Sequence, residues 1–181
     1  MQEGERVVVF GLGGVGLAAV MGAQMAGAEV IAVDLVADKL ERARALGATP
    51  VAGGPEAIEA VRGLTGGGAP KVIDATGNID GLTQAYASTG RGGLTVTVGL
   101  PHPDLALQVP ATALVLEERT LRGSYMGNCV PTRDVPRFVE DWRAGRLPVD
   151  RLLTHRIALD DINEGFDRLR DGGAVRQAVV F

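Results

Sequence analysis

The sequence predicts an α/β fold: a doubly wound sheet of six parallel strands, followed by a shorter α+β tail. Three observations predict it. Short runs rich in Val, Ile and Leu recur along the chain with almost no polar interruption, the pattern of strands buried on both faces. Stretches with helical spacing separate these runs, so the strands are joined by right-handed crossovers and the sheet is parallel. The core must be aliphatic, because aromatics make up only 4% of a chain that is 46% apolar.

Each element follows in order. Arg6-Val7-Val8-Val9-Phe10 is the first strand, and Gly14 to Ala26 carries small, helix-tolerant residues that suit a buried helix. Glu29 to Asp34 repeats the strand pattern. Ala37 to Leu46 is amphipathic at helical spacing and stops at Gly47, a natural C-cap. Thr49 to Ala52 is a short third strand, followed by a helix from Pro55 to Leu64 that opens on proline. Lys71 to Thr76 is the fourth strand and Asp80 to Ser88 the next helix. Leu94 to Gly99 is the fifth strand, Ala111 to Glu118 a short helix beyond a proline-rich loop, and Leu121 to Met126 the sixth strand.

From about Val130 the pattern changes. Thr132 to Ala144 is an amphipathic helix broken early by Pro136, Thr154 to Leu159 a strand, and Asp160 to Leu169 a helix whose acidic first turn complements its dipole. Arg176 to Phe181 closes the chain as an apolar strand. The division is therefore 1–130 for the doubly wound domain and 131–181 for the tail.

One turn carries the chemistry. Gly11-Leu12-Gly13-Gly14-Val15-Gly16 fits G-x-G-x-x-G, directly after a strand and at the opening of a helix. Gly11 permits a tight turn, Gly13 removes a side chain where backbone approaches a pyrophosphate, and Gly16 lets the helix lie against the strand. The helix N-terminus offers free N–H groups and a positive dipole to phosphates. Asp34 stands about 18 residues beyond Gly16, at the end of the second strand, close to the ≈20 expected of an acid that accepts ribose hydroxyls. The same carboxylate repels a 2′-phosphate, so the pattern favours NAD over NADP. Taken singly, Asp34 could equally cap the next helix; strand, turn, helix, strand and acid in sequence favour a dinucleotide-binding Rossmann fold.

Composition excludes other classes. A net charge of −4 with no basic run argues against a nucleic-acid partner. Val7 to Ala28 has the length to reach across a bilayer, but its six glycines weaken a helix and its leader, Gln2 to Arg6, is acidic where a secretory signal is positive. A membrane segment is therefore not expected. Cys129 is the only cysteine, and with His102 and His155 as the only histidines no zinc-ligand spacing is recognisable. The expected location is cytoplasmic. No G-x-x-x-x-G-K-[ST] is present. The Tyr/Lys pair of short-chain reductases is also missing, since Tyr86 is followed four residues later by Gly90 and Tyr125 by Cys129.

With these residues in view, the sequence resembles the zinc-dependent medium-chain alcohol dehydrogenases along nearly its whole length. The matching stretches are Val8 to Leu17, Val33-Asp34 with Lys39, Leu46-Gly47-Ala48, Ile73 to Asn78, Val98 to Pro101, Leu121 to Gly127, and Asp161 to Asp167 with Gly172, Gly173 and Arg176. The resemblance implies that Gly11, Gly13, Gly14 and Gly16 cradle the pyrophosphate with Val15 against the coenzyme. It implies that Asp34 and Lys39 attend the adenosine ribose, that backbone groups of Val98, Ser124 and Met126 fix the nicotinamide carboxamide, and that Arg176 reaches the pyrophosphate. In this family the catalytic zinc is held by a domain preceding the coenzyme half. Because the first strand begins at Arg6, the chain resembles that coenzyme half plus a tail that packs on the catalytic domain, inactive by itself and with no metal ligands of its own. The family also pairs its sixth strand across a two-fold axis, which implies a homodimer through 121–126. Two rival readings remain open on sequence: a stand-alone nucleotide sensor, and a zinc-free reductase of the same superfamily.

Overall fold

The computed structural model describes residues 2–181. Six strands, β1 (Arg6–Phe10), β2 (Glu29–Asp34), β3 (Thr49–Ala52), β4 (Ala69–Asp74), β5 (Thr89–Thr97) and β6 (Thr120–Gly123), form one parallel sheet in the order β3-β2-β1-β4-β5-β6. The helices between them are α1 (Gly14–Met25), α2 (Ala37–Ala45), α3 (Ala57–Thr65), α4 (Ile79–Ser88) and α5 (Ala111–Leu116). The chain runs outward from β1 to β3, crosses over and runs outward again from β4. The switch point of this doubly wound sheet therefore lies between β1 and β4, where ligands of such folds bind.

The period of two along β1 explains why a continuous valine run is needed there. Val7 and Val9 pack with Leu17, Val20 and Met21 of α1 on one face. Val8 and Phe10 pack with Val61 of α3 and Ala85 of α4 on the other. A polar residue at any of these positions would be buried without a partner, whereas each buried valine stabilises the fold by roughly 1.5–3 kcal/mol.

Five strands differ in their bounds from the sequence reading, the two in the tail ending early, at Ile157 instead of Leu159, where a short 3-10 turn begins, and at Val179 instead of Phe181. The fourth strand runs Ala69–Asp74, ending before Thr76, because the Asp74 side chain captures the Thr76 amide at 3.1 Å and turns the chain. The fifth strand begins at Thr89, not Leu94. Its glycine-rich start has no strand-like composition, but Ala69 pairs with Thr89 across a register shift, and the buried hydroxyls of Thr89 and Thr95 share a 2.6 Å hydrogen bond. The sixth strand ends at Gly123 and does not continue through Met126. Beyond it Met126, Gly127 and Asn128 all take left-handed backbone, with φ of 50°, 65° and 53°, which no strand accommodates.

The tail comprises α6 (Pro131–Arg143), β7 (Leu153–Ile157), α7 (Ile162–Arg170) and β8 (Arg176–Val179). β7 and β8 pair in parallel as a separate two-stranded sheet with α7 as the crossover. Leu147, Leu152 and Val175 join the apolar cluster beneath α1, which anchors the tail to the main domain. Arg151 reinforces this by donating to the Ala45 carbonyl at 3.2 Å. No helix among the described residues is long and apolar enough to cross a membrane.

Candidate functional site

At the end of β1 the chain must reverse within a few residues, and glycine makes this possible. Gly11 has φ of 83°, and a Cβ there would lie 2.8 Å from the Ala75 carbonyl carbon and the Thr76 amide. A Cβ on Gly16 would lie 1.7 Å from the Gly11 oxygen, so α1 can sit against the turn only if residue 16 has no side chain. Gly13 is different. A Cβ there would meet nothing within 4 Å, and its φ of −74° is open to any residue. The protein itself does not require glycine at that position. Gly13 is the N-cap of α1 and supplies no side-chain cap, so no capping side chain takes up the first-turn amides.

Asp34 stands opposite, at the end of β2. Its Oδ2 accepts the Leu12 amide at 2.7 Å and its Oδ1 accepts the Val36 amide at 2.9 Å. Two backbone donors fix the carboxylate, and each oxygen keeps a lone-pair direction for a hydroxyl. Lys39 Nζ lies 4.0 Å from Oδ2. Leu35, which sequence reasoning passed over, follows directly and is 81% exposed, an apolar wall beside the acid. An exposed leucine in a loop carries no signal in a sequence; its place next to Asp34 is what singles it out.

Across the switch point lies an apolar cleft of about 1340 Å³ between α1 and the strands β4 and β5, lined among others by Val15, Val98, Ser124 and Met126. The Val98 and Ser124 amides are committed to the Asp74 and Thr97 carbonyls, each at 2.9 Å. Their own carbonyls accept no hydrogen bond among the described residues, and the Met126 amide donates none. Two acceptors and one donor are the complement of a carboxamide, which presents two N–H donors and one C=O. Val15, 55% exposed on the first turn of α1, is the apolar surface between this cleft and the glycine turn.

The tail closes the other side. Arg176, the first residue of β8, lies over the glycine turn so closely that a Cβ on Gly14 would sit 2.7 Å from its Nε. Gly172 approaches Lys39 in the same way, with its would-be Cβ 3.9 Å from Nζ. Of the residues singled out in the sequence, Val15, Val98, Ser124 and Met126 line the cleft, while Asp34, Lys39 and Arg176 lie near the glycine turn at the ends of β1 and β2.

Comparison with known proteins agrees with this geometry. The family model described as "Zinc-binding dehydrogenase" matches residues 14–143. The chain belongs to that family. Alcohol dehydrogenase 1 of Oryza sativa subsp. indica is 37% identical over 180 residues, covering 96% of this chain and 47% of that protein. The NDMA-dependent alcohol dehydrogenase of Amycolatopsis methanolica is 38% identical, covering 99% and 50%. Among solved structures, benzyl alcohol dehydrogenase from Acinetobacter calcoaceticus superposes with a TM-score of 0.93 at 30% identity, covering 99% of this chain and 51% of that one. The chain thus spans about half the length of the relatives it matches.

Within the zinc-binding dehydrogenase family this chain is the NAD-binding, coenzyme half. The groove fits that coenzyme: an open Gly13, unpartnered amides at the α1 N-terminus and a fixed carboxylate at the end of β2. Zinc does not fit here, since no group of three or more His, Cys, Asp or Glu side chains among the described residues is placed to hold a metal ion. His155 bonds the neighbouring Thr154 hydroxyl at 3.0 Å, a local contact outside the groove.

Proposed function

We propose that this chain binds NAD(H), in preference to NADP(H), for an oxidoreductase that interconverts alcohols and aldehydes, with the residues that act on the alcohol lying in the half of its relatives that it does not span. When bound, the nicotinamide supplies the hydride acceptor or donor. The chain's own residues bind and orient it. First-turn amides of α1 and Arg176 hold the pyrophosphate, Asp34 and Lys39 hold the adenosine ribose, and Val98, Ser124 and Met126 hold the carboxamide so that one ring face is presented. The observation that carries this reading is Asp34, pinned at the end of β2 by the Leu12 and Val36 amides, one on each carboxylate oxygen.

Titration calorimetry with NADH and NADPH tests it. NADH should bind at least tenfold tighter, since each hydrogen bond to a charged acceptor contributes ~1.5–3 kcal/mol and a 2′-phosphate meets a carboxylate instead. Equal or tighter binding of NADPH would overturn the assignment of Asp34. The isolated chain should show no alcohol turnover.

The cleft also supports the view that 131–181 serves a second half-protein. Doubly wound sheets are covered on both faces, yet the α1 side of β4 and β5 opens into the cleft. The apolar side chains of α6, Val135, Phe138 and Trp142, are exposed beside it, and Asp134 is that helix's only buried residue. The relatives' remaining length supplies the polypeptide to cover them. Assembly follows from the sheet edge. All four residues of β6 are exposed, α5 buries none of its residues, and Leu114, Val115 and Leu116 stand free beside the strand. An unpaired apolar edge favours a two-fold homodimer through β6. The function proposed suits a cytoplasmic protein.

A further inference from the structure

We propose that Asp74 is a positioning residue for the nicotinamide end of the coenzyme, an inference that rests on the NAD(H) reading above. Asp74 ends β4 at the switch point and is 1% exposed, yet no lysine or arginine pairs with it among the described residues. Its burial is made tolerable by hydroxyl and amide donors alone. Oδ1 accepts the Thr76 amide at 3.1 Å and the Thr76 hydroxyl at 2.7 Å. Oδ2 accepts the Thr97 hydroxyl at 2.8 Å, and the Asp74 carbonyl accepts the Val98 amide at 2.9 Å.

The two halves of the carboxylate do different things. The Oδ1 contacts are local and would form in any turn capped by an aspartate. The Oδ2 contact is not. It reaches the next strand and clamps the end of β5 to the end of β4, where a Cβ on Gly99 would lie only 2.5 Å from the Gly77 amide. Between those clamped ends sits Val98, a lining residue of the cleft, with its amide held by Asp74 and its carbonyl without a partner among the described residues. A buried carboxyl group without a cation is costly unless every lone pair is used. Turn capping uses one oxygen and leaves the other to fix the orientation of the Val98 carbonyl. Because that acceptor meets the carboxamide and not the adenosine, the effect of Asp74 is confined to one end of the ligand.

The test compares ADP-ribose, which lacks the nicotinamide, with NADH on the chain as it stands, using calorimetry for affinity and the emission of bound NADH for the ring environment. Thr97→Val removes only the Oδ2 donor and should weaken NADH about tenfold, shift the bound-NADH emission toward that of free coenzyme, and leave ADP-ribose within about twofold. Asp74→Ala should do the same more strongly. Asp74→Asn, which can still accept from Thr76 while its amide donates to the Thr97 oxygen, should restore the preference for NADH. A parallel loss of both ligands, or no change in either with Thr97→Val, assigns Asp74 to fold maintenance and overturns the proposal. Should Asp74→Ala fail to fold, Thr97→Val and Asp74→Asn decide the matter alone. Failure of the unmodified chain to bind ADP-ribose would instead overturn the coenzyme reading itself.

Discussion

Arg176 rests on Gly14: a methyl group on that glycine would stand 2.7 Å from the arginine Nε and 3.1 Å from its Cζ. The two residues are distant in sequence, one on the first turn of the main domain and the other on the last strand of the tail. Their contact sets the tail against the glycine loop, and on the proposed reading it brings the tail to the pyrophosphate.

A first prediction follows from that contact. Arg176→Ala leaves the core untouched and should weaken NADH by about tenfold, near the lower end of what a hydrogen bond to a charged group contributes, because the side chain is exposed. Gly14→Ala should reproduce part of the loss by pushing the guanidinium aside while altering the melting temperature little, since the obstructing atoms belong to a flexible side chain. Calorimetry and thermal denaturation of the two variants check both halves. Unchanged NADH affinity in Arg176→Ala would remove the tail from the site.

The glycine turn offers a sharper separation between folding and binding. Gly16→Ala puts a Cβ 1.7 Å from the Gly11 oxygen, so α1 must move off the strand and the chain should unfold or lose several degrees of melting temperature. Gly13→Ala meets nothing and keeps an ordinary φ, so its stability should match the unmodified chain within about 0.5 kcal/mol. NADH should nonetheless bind it at least tenfold more weakly, because the methyl group occupies the path of the pyrophosphate. A Gly13→Ala variant that binds normally would show that the glycine pattern here is structural.

Acid stability can be traced to one group. Asp134 sits near the start of α6, where the Arg133 guanidinium and the Val130 amide hold its carboxyl at about 2, below the ordinary 3.8. A carboxyl lowered in the folded state stabilises the fold above its unfolded value, and that contribution disappears as pH falls through the folded value. The contribution should thus be complete above about pH 4 and fade toward pH 2. Urea denaturation at pH 5 and pH 2.5 should show a smaller difference for Asp134→Asn than for the unmodified chain. An identical pH dependence in both would show that the pairing does not matter to stability.

The parts of this molecule legible in its sequence are those whose chemistry is local. The valine run of β1 admits only a strand buried on both faces; the positive φ of Gly11 and the close approach of Gly16 to its oxygen belong to one strand-turn-helix unit, and Asp34 ends the strand that follows. The parts that are not legible depend on distant partners. Thr89 to Gly93 joins β5 only because Ala69 and Thr95 await it. Tyr125 and Met126 have strand-like side chains, yet they leave the sheet for a left-handed turn secured by the Asn128 amide on the Tyr125 carbonyl at 3.0 Å and by Ser124 and Asn128 at 2.9 Å. Asp74 reads as part of a strand signature, and its clamp on Thr97 becomes visible only when β4 and β5 lie side by side.

The edge of the sheet gives the last prediction. Because β6 ends at Gly123, a two-fold partner has only Thr120–Gly123 to pair with, not six residues, and so few backbone hydrogen bonds cannot hold two subunits without apolar burial around them. Leu121 of β6 and Leu114, Val115 and Leu116 of the helix that precedes it are exposed and would provide it. A charge placed there resists pairing, as lysines do on the free edges of natural sheets. Leu121→Lys and Val115→Glu should each convert a dimer to a monomer in sedimentation velocity at micromolar concentration, and the double variant should remain folded by circular dichroism. Amides 120–123 should exchange slowly in the unmodified chain and quickly in the variants. A chain that already sediments as a monomer with fast exchange at 120–123 would rule the edge-strand dimer out.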